Sequence, residues 1–277
     1  MILMSPSLSI GKSPEERAEF LRKADILEVK TFATSIPEDW TDVEVEEARK
    51  FLDEHGMRVG EFSRYYKALG GYNLDEHELA LQNYRRQLRH ARIIGASCVG
   101  FGVLRGRGTP HMWSQETWEY TISVVAELVR EAEAAGVDVA AHPHLMSPIC
   151  SVERYKALLE AVGSPRLKIL MDIVNLTEPH MVFRTTELIN KIFDELGDAI
   201  ITLHAKDVMI SGGGKIVVHI DEAVPGAGFM DYATILRRLD ALAHDVTVYV
   251  EHFPYPETVA GQQYIREVAR EIGVNLN

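Results

Sequence analysis

Four short stretches of this chain carry side chains able to hold a metal ion, and each closes a run of apolar, β-forming residues. Ala140-Ala141-His142-Pro143-His144 offers two imidazoles; Met171-Asp172-Ile173-Val174-Asn175 offers a carboxylate and an amide. Leu203-His204-Ala205-Lys206-Asp207 and Val250-Glu251-His252 follow the same plan. A single His or Asp in such a place is more often a loop cap or a satisfied polar residue, and a lone His252 or His219 carries no signal. Four in succession are harder to explain that way. Asp172 and Glu251 lie within apolar runs, where an unpaired buried charge is costly, and a bound cation removes that cost. Mixed nitrogen and oxygen donors suit Mn²⁺, Co²⁺, Fe²⁺ or Zn²⁺, whereas Mg²⁺ and Ca²⁺ favour oxygen alone.

For these residues to meet, the runs bearing them must lie side by side. Strand-like runs are Leu3–Ile10, Ile26–Phe32, Met57–Phe62, Ala96–Val103, Val137–Ala141, Leu167–Val174, Ala199–His204 and Asp245–Phe253. Between them, apolar residues three and four apart predict helices over Ser13–Ala24, Thr41–His55, Leu74–Ile94, Ser114–Ala135, Val152–Val162, Thr185–Leu196, Tyr232–His244 and Thr258–Ile272. Gly95, Gly136, Gly163, Gly197 and Gly273 follow helices where left-handed caps are expected. Strict alternation implies right-handed βαβ units and a parallel sheet. Eight such units fit a single (β/α)₈ barrel domain over residues 1–277, since barrels of this type usually need about 250 residues. An open doubly wound sheet fits less well, because Leu3–Lys12 lacks a Gly-rich phosphate turn. After the seventh strand, Gly212-Gly213-Gly214 followed by Lys215–Ile220 predicts a β-hairpin inserted in a βα loop.

Composition narrows the partners. Of 277 residues, 46% are hydrophobic and 25% charged, which suits a globular chain with a substantial core. The net charge of −12, without a basic run, argues against nucleic acid. No apolar stretch approaches the roughly 20 residues of a membrane span. Residues Met1–Ile10 lack the pattern of a signal peptide, and two cysteines, Cys98 and Cys150, make no disulfide framework. A reducing cytoplasm is the expected compartment.

Ser164–Asn175 (SPRLKILMDIVN), His204–Val208 (HAKDV), Pro225–Tyr232 (PGAGFMDY) and Val250–His252 (VEH) resemble, in order and spacing, the xylose isomerase-like barrel superfamily. The likeness is to its sugar phosphate isomerase/epimerase branch and covers nearly the whole chain. It implies one divalent ion, Mn²⁺ first among the candidates, held by Asp172, His204 and Glu251. Strand five departs from the family pattern: His142 stands where a glutamate usually ligates and shuttles protons. Asn175 falls where ketose epimerases often place a substrate-contacting histidine.

An ion chelated by a carbonyl and its neighbouring hydroxyl acidifies the adjacent C–H. His144, two residues beyond His142, would share its side of an extended strand and is the expected general base, with Glu251 as a second acid/base. Lys206 would stabilise an oxyanion or pair with Asp207. His180, Arg64 and His219 are candidates for sugar hydroxyls, and Trp113, Phe229 or Tyr255 for an aromatic aglycone. A single histidine base tilts the outcome toward β-elimination from a 3-keto-glycoside. The resemblance extends here to the large subunit of C-glycoside deglycosidases, which works with a small β-rich partner. The alternatives are a sugar phosphate isomerase or ketose 3-epimerase, and a non-catalytic barrel subunit. Association into an oligomer is expected, as barrels commonly associate.

Overall fold

A computed structural model of the protein describes residues 1–63, 74–103, 109–211 and 219–277. The barrel strands are β1 (Ile2–Met4), β2 (Thr31–Thr34), β3 (Arg58–Ser63), β4 (Cys98–Phe101), β5 (Val139–Ala141), β6 (Leu167–Asp172), β7 (Ile200–Ala205) and β10 (Val246–Val250). They pair in parallel in the order β1-β10-β7-β6-β5-β4-β3-β2. A bridge between Ser7 and Ala33, with Leu8 N–H donating to Ala33 O at 2.9 Å, draws the two ends of the sheet together. The helices between strands are α1 (Pro14–Ile26), α2 (Asp42–Glu54), α3 (Leu74–Ile94), α4 (Gln115–Ala135), α5 (Val152–Val162), α6 (Thr185–Leu196), α7 (Tyr232–Asp240) and α8 (Tyr255–Ile272). The chain is a single-domain (β/α)₈ barrel. Among the described residues no helix is long and apolar enough to cross a membrane.

Local chemistry sets the element ends. Ser13 and Thr41 cap α1 and α2, each exchanging hydrogen bonds with a glutamate three residues on. Gly136, Gly163 and Gly273 take the expected left-handed caps. Gly197 does not: it stays right-handed and leads through a 3₁₀ turn straight into β7. The strand expected at Ile26–Phe32 is displaced to Thr31–Thr34. Ile26 completes α1, Leu27 caps it and Glu28 turns the chain at φ 52°, so Leu27 and Val29 are buried by a turn rather than a strand. The first strand is likewise shorter than expected, ending at Met4 just before Pro6, which has no N–H to donate.

The inserted hairpin is present as β8 (Asp207–Ser211) and β9 (His219–Ala223), antiparallel, with Asp207 opposite Ala223 and Ser211 opposite His219. Its turn, with Gly212–Gly214, lies outside the described residues. Asp207 fixes the hairpin's base. Its buried carboxylate accepts N–H bonds from Val208 (2.8 Å), Gly226 (2.9 Å) and Met230 (2.8 Å). Gly228 packs so closely that a Cβ there would meet Val208 O at 2.3 Å. Asp207→Ala strands three N–H groups, each costing on the order of 1–3 kcal/mol if left unpaired in the interior. A melting temperature lowered by about 5 °C or more is expected by calorimetry, and an unchanged one would contradict this anchoring role.

Candidate metal centre

The carboxyl ends of the last four barrel strands bring His142, Asp172, His204 and Glu251 together. Asp172 ends β6 and faces His204 of β7 across the ladder, while His142 and Glu251 directly follow β5 and β10. One donor atom from each lies within 4.8 Å of the others. His142 Nε2 is 3.3 Å from Asp172 Oδ2, and His204 Nδ1 is 3.1 Å from Glu251 Oε1. Yet His204 Nδ1 and Glu251 Oε2 are buried without a partner in hydrogen-bonding geometry. Two imidazoles and two carboxylates converging with such unsatisfied atoms fit a divalent ion.

Lys206 sits among them with its ammonium fully buried. Its Nζ lies 2.8 Å from Asp172 Oδ2, 2.9 Å from Glu251 Oε2 and 2.9 Å from Glu222 Oε1. The expected pairing with Asp207 does not occur: Asp207 accepts from the N–H groups of Val208, Gly226 and Met230, while Lys206 faces the cluster. With three carboxylates around it, the ammonium balances their charge, and its Nζ donates a hydrogen bond to Glu222 Oε1 at 2.9 Å. Burial would lower the Lys206 pKa, but Asp172 and Glu251 outweigh it and raise it. Burial would likewise raise the Asp172 carboxyl, yet His142 and Lys206 hold it below its usual value. Glu251 is also held low despite burial, by His204 and Lys206. Burial disfavours the charged His204 ring, but Glu61 and Glu251 on either side push its pKa up to about 10.

Three residues at this site carry no signal in the sequence. Glu61 of β3 is fully buried against His204 Nε2, at 3.2 and 3.1 Å. Glu222 of β9 reaches from the hairpin to Lys206 and, through Oε2, accepts from His252 Nδ1 at 2.9 Å. His252, a lone histidine in the sequence, has φ 69°, a conformation few non-glycine residues take, and its Nε2 is 3.5 Å from Glu251 Oε1. The Glu222 hydrogen bond raises the His252 pKa against the opposing effect of burial.

The other expected residues are placed differently. His144 is not on an extended strand, since β5 stops at Ala141; its Nδ1 accepts the Met146 N–H at 3.0 Å. Asn175 serves the ligands: its N–H donates to Asp172 Oδ1 at 3.0 Å, and its Nδ2 donates to Pro143 O and lies 3.2 Å from His142 Nε2. His180 is exposed, 3.7 Å from Glu178, and His219 is exposed at the far end of β9, so neither is brought to the cluster. Arg64 lies outside the described residues. Trp113 and Phe229 are exposed, and Phe229 packs edge-on against Phe183. Tyr255 lines a cavity of about 350 Å³ beside His252. A smaller cavity, about 180 Å³, opens onto Glu61, His204, Tyr249 and Glu251. Another, about 480 Å³, is at the opposite end of the barrel among Thr31, Lys168 and Thr247, away from every candidate ligand.

A protein-family model described as "Xylose isomerase-like TIM barrel" matches residues 19–270. No curated protein matches the chain. Among solved structures, a xylose isomerase-like TIM barrel protein from Mycobacterium smegmatis in complex with magnesium superposes with a TM-score of 0.73. It is 17% identical, over 98% of this chain and 97% of that one. D-psicose 3-epimerase with D-tagatose, from Clostridium cellulolyticum H10, gives 0.69 at 13% identity, over 96% and 99%. The 3-keto-D-glucoside 4-epimerase from E. coli gives 0.68 at 14%, over 96% and 100%. At these identities the likeness establishes a shared fold.

Proposed function

We propose that this chain, which belongs to the xylose isomerase-like TIM barrel family, is a divalent-metal-dependent enzyme acting on a keto sugar or 3-keto-glycoside by removing the proton next to its carbonyl. The observation that carries this reading is the convergence of His142, Asp172, His204 and Glu251 within 4.8 Å at the strand ends, where barrels of this class do their chemistry. Those four would hold the ion, with Mn²⁺ first among Mn²⁺, Co²⁺, Fe²⁺ and Zn²⁺. The ion supplies Lewis acidity toward a substrate carbonyl and its neighbouring hydroxyl. Two fold neighbours, a D-psicose 3-epimerase and a 3-keto-D-glucoside 4-epimerase, are consistent with that substrate class.

The chain's own residues carry the proton. Glu251, held low by two cations, is a weak base. His144 accepts at Nδ1, so its neutral ring bears hydrogen on Nε2 and acts there as a donor. His252 has the opposite arrangement: Nδ1–H donates to Glu222, which leaves Nε2, beside Glu251, as the basic nitrogen. A carboxylate orienting an imidazole in this way is the arrangement of a general base. We therefore assign proton removal to His252, and to His144 a hydrogen bond to the substrate. One histidine base favours β-elimination of an aglycone, which the cavity at Tyr255 would receive. Isomerisation or 3-epimerisation is the second reading. It draws on Glu222, which brings a second carboxylate to the ammonium that Glu251 also touches.

The test is incubation of the Mn²⁺-loaded protein in D₂O with 3-keto-glucosides bearing C- or O-linked aromatic groups, followed by mass spectrometry. Deuterium uptake with aglycone release marks the lyase, and uptake without release marks the isomerase or epimerase. Neither, on any keto sugar tried, contradicts the reading. His252→Gln should lower the rate by roughly 10²–10⁴-fold while keeping the metal. If His144→Ala shows that loss and His252→Gln does not, the base assignment is reversed.

A further inference from the structure

Glu61 is a carboxylate sealed inside the barrel, with 0% of its surface exposed. Thr202 Oγ1 donates to its Oε2 at 2.9 Å, and His204 Nε2 lies 3.1 Å from the same oxygen. Both glutamate and threonine are aimed there by irregularities of the sheet. In β3, Phe32 pairs with Val59 and Ala33 with Glu61, so Gly60 is an extra residue. In β7, Ile169 pairs with Ile200 and Leu170 with Thr202, so Ile201 is an extra residue. A one-residue insertion reverses which face the following side chains take, and such bulges re-aim side chains beside active sites. Gly60 is required at its bulge: a Cβ would meet Thr247 Cγ2 at 2.7 Å and Thr31 Cγ2 at 2.9 Å.

A carboxylate can only accept, so the ring nitrogen facing Glu61 bears the hydrogen. That leaves Nδ1 turned toward Glu251 and the other donors. We infer that Glu61 is a positioning residue of the metal centre, which fixes the His204 ring with its hydrogen on Nε2 and presents Nδ1 to the ion. The inference rests on the metal-dependent reading above. A carboxylate behind a ligating histidine also strengthens the ring as a donor, and losing one typically weakens metal binding about 10–100-fold.

The experiment is calorimetric titration of chelator-treated protein with MnCl₂. Glu61→Gln, nearly the same shape without the charge, should bind Mn²⁺ about 10–100-fold more weakly than the native chain. Thr202→Val, which removes only the pin on Glu61, should shift affinity in the same direction by less. In the Zn²⁺-loaded native protein, ¹⁵N-histidine correlation spectra should show His204 protonated at Nε2, a signature lost or mixed in Glu61→Gln. Unchanged Mn²⁺ affinity in Glu61→Gln, with only a lower melting temperature, would make Glu61 a structural residue and overturn the assignment. Should that variant not fold, unchanged affinity in Thr202→Val overturns it equally. If the native chain itself takes up no Mn²⁺, the metal-dependent reading fails, and this assignment with it.

Discussion

Asp172→Ala is expected to lose divalent-ion binding and turnover together. Asp172 is fully buried, ends β6 and faces His204 across the ladder, so its oxygen is one of the four donors that converge at the site. Its removal also unbalances the cluster, because Lys206 loses its nearest anion, at 2.8 Å. Turnover should fall by at least about 10²–10³-fold, the loss seen when one group stabilising a transition state is deleted. Mn²⁺ titration of the same preparation should show no tight site. Metal binding retained without turnover would mean that the ion is held elsewhere. Glu251→Ala should behave in the same way.

The second large effect concerns Lys206. In the metal-free protein its ammonium compensates two buried carboxylates, Asp172 and Glu251, and steadies Glu222 at the rim. Lys206→Met keeps the length of the side chain and removes the charge. Breaking a buried pair by deleting one partner costs about 3–5 kcal/mol, so the metal-free variant should melt on the order of 10 °C below the native chain. A divalent ion bound by the same two carboxylates supplies the missing charge. Mn²⁺ should therefore raise the melting temperature of Lys206→Met by more than it raises that of the native protein. Calorimetry with and without Mn²⁺ checks this, and equal increments in the two proteins would show that ion and ammonium do not share these carboxylates.

Much of the architecture is legible in the residues themselves. Eight β-rich runs alternating with helical periods require a parallel, wound topology, and α3, α5 and α6 have the limits that their apolar spacing predicts. The errors fall where apolar residues are buried by something other than a strand, as Leu27 and Val29 are at the end of α1. The four ligand candidates are legible because each ends a strand, and parallel strands align their ends. Glu61 is hidden because its inward orientation depends on the bulge at Gly60, a matter of register and not of residue pattern. His252 and Glu222 are hidden for another reason. One needs a left-handed backbone after β10, the other a hairpin folded back over the mouth, and only tertiary contact joins them. The Lys206–Asp207 pair fails because the two side chains are committed to different partners. Lys206 turns to the cluster and Asp207 to the hairpin base.

The centre itself is tested most directly by anomalous diffraction at the manganese edge from crystals of the protein soaked in MnCl₂. The expected map has one strong peak per chain, within about 2.0–2.3 Å of donor atoms from His142, Asp172, His204 and Glu251, with Glu61 behind His204 and outside the coordination sphere. A peak at other residues, or no peak while the Lys206 ammonium keeps its place between Asp172 and Glu251, would contradict the account.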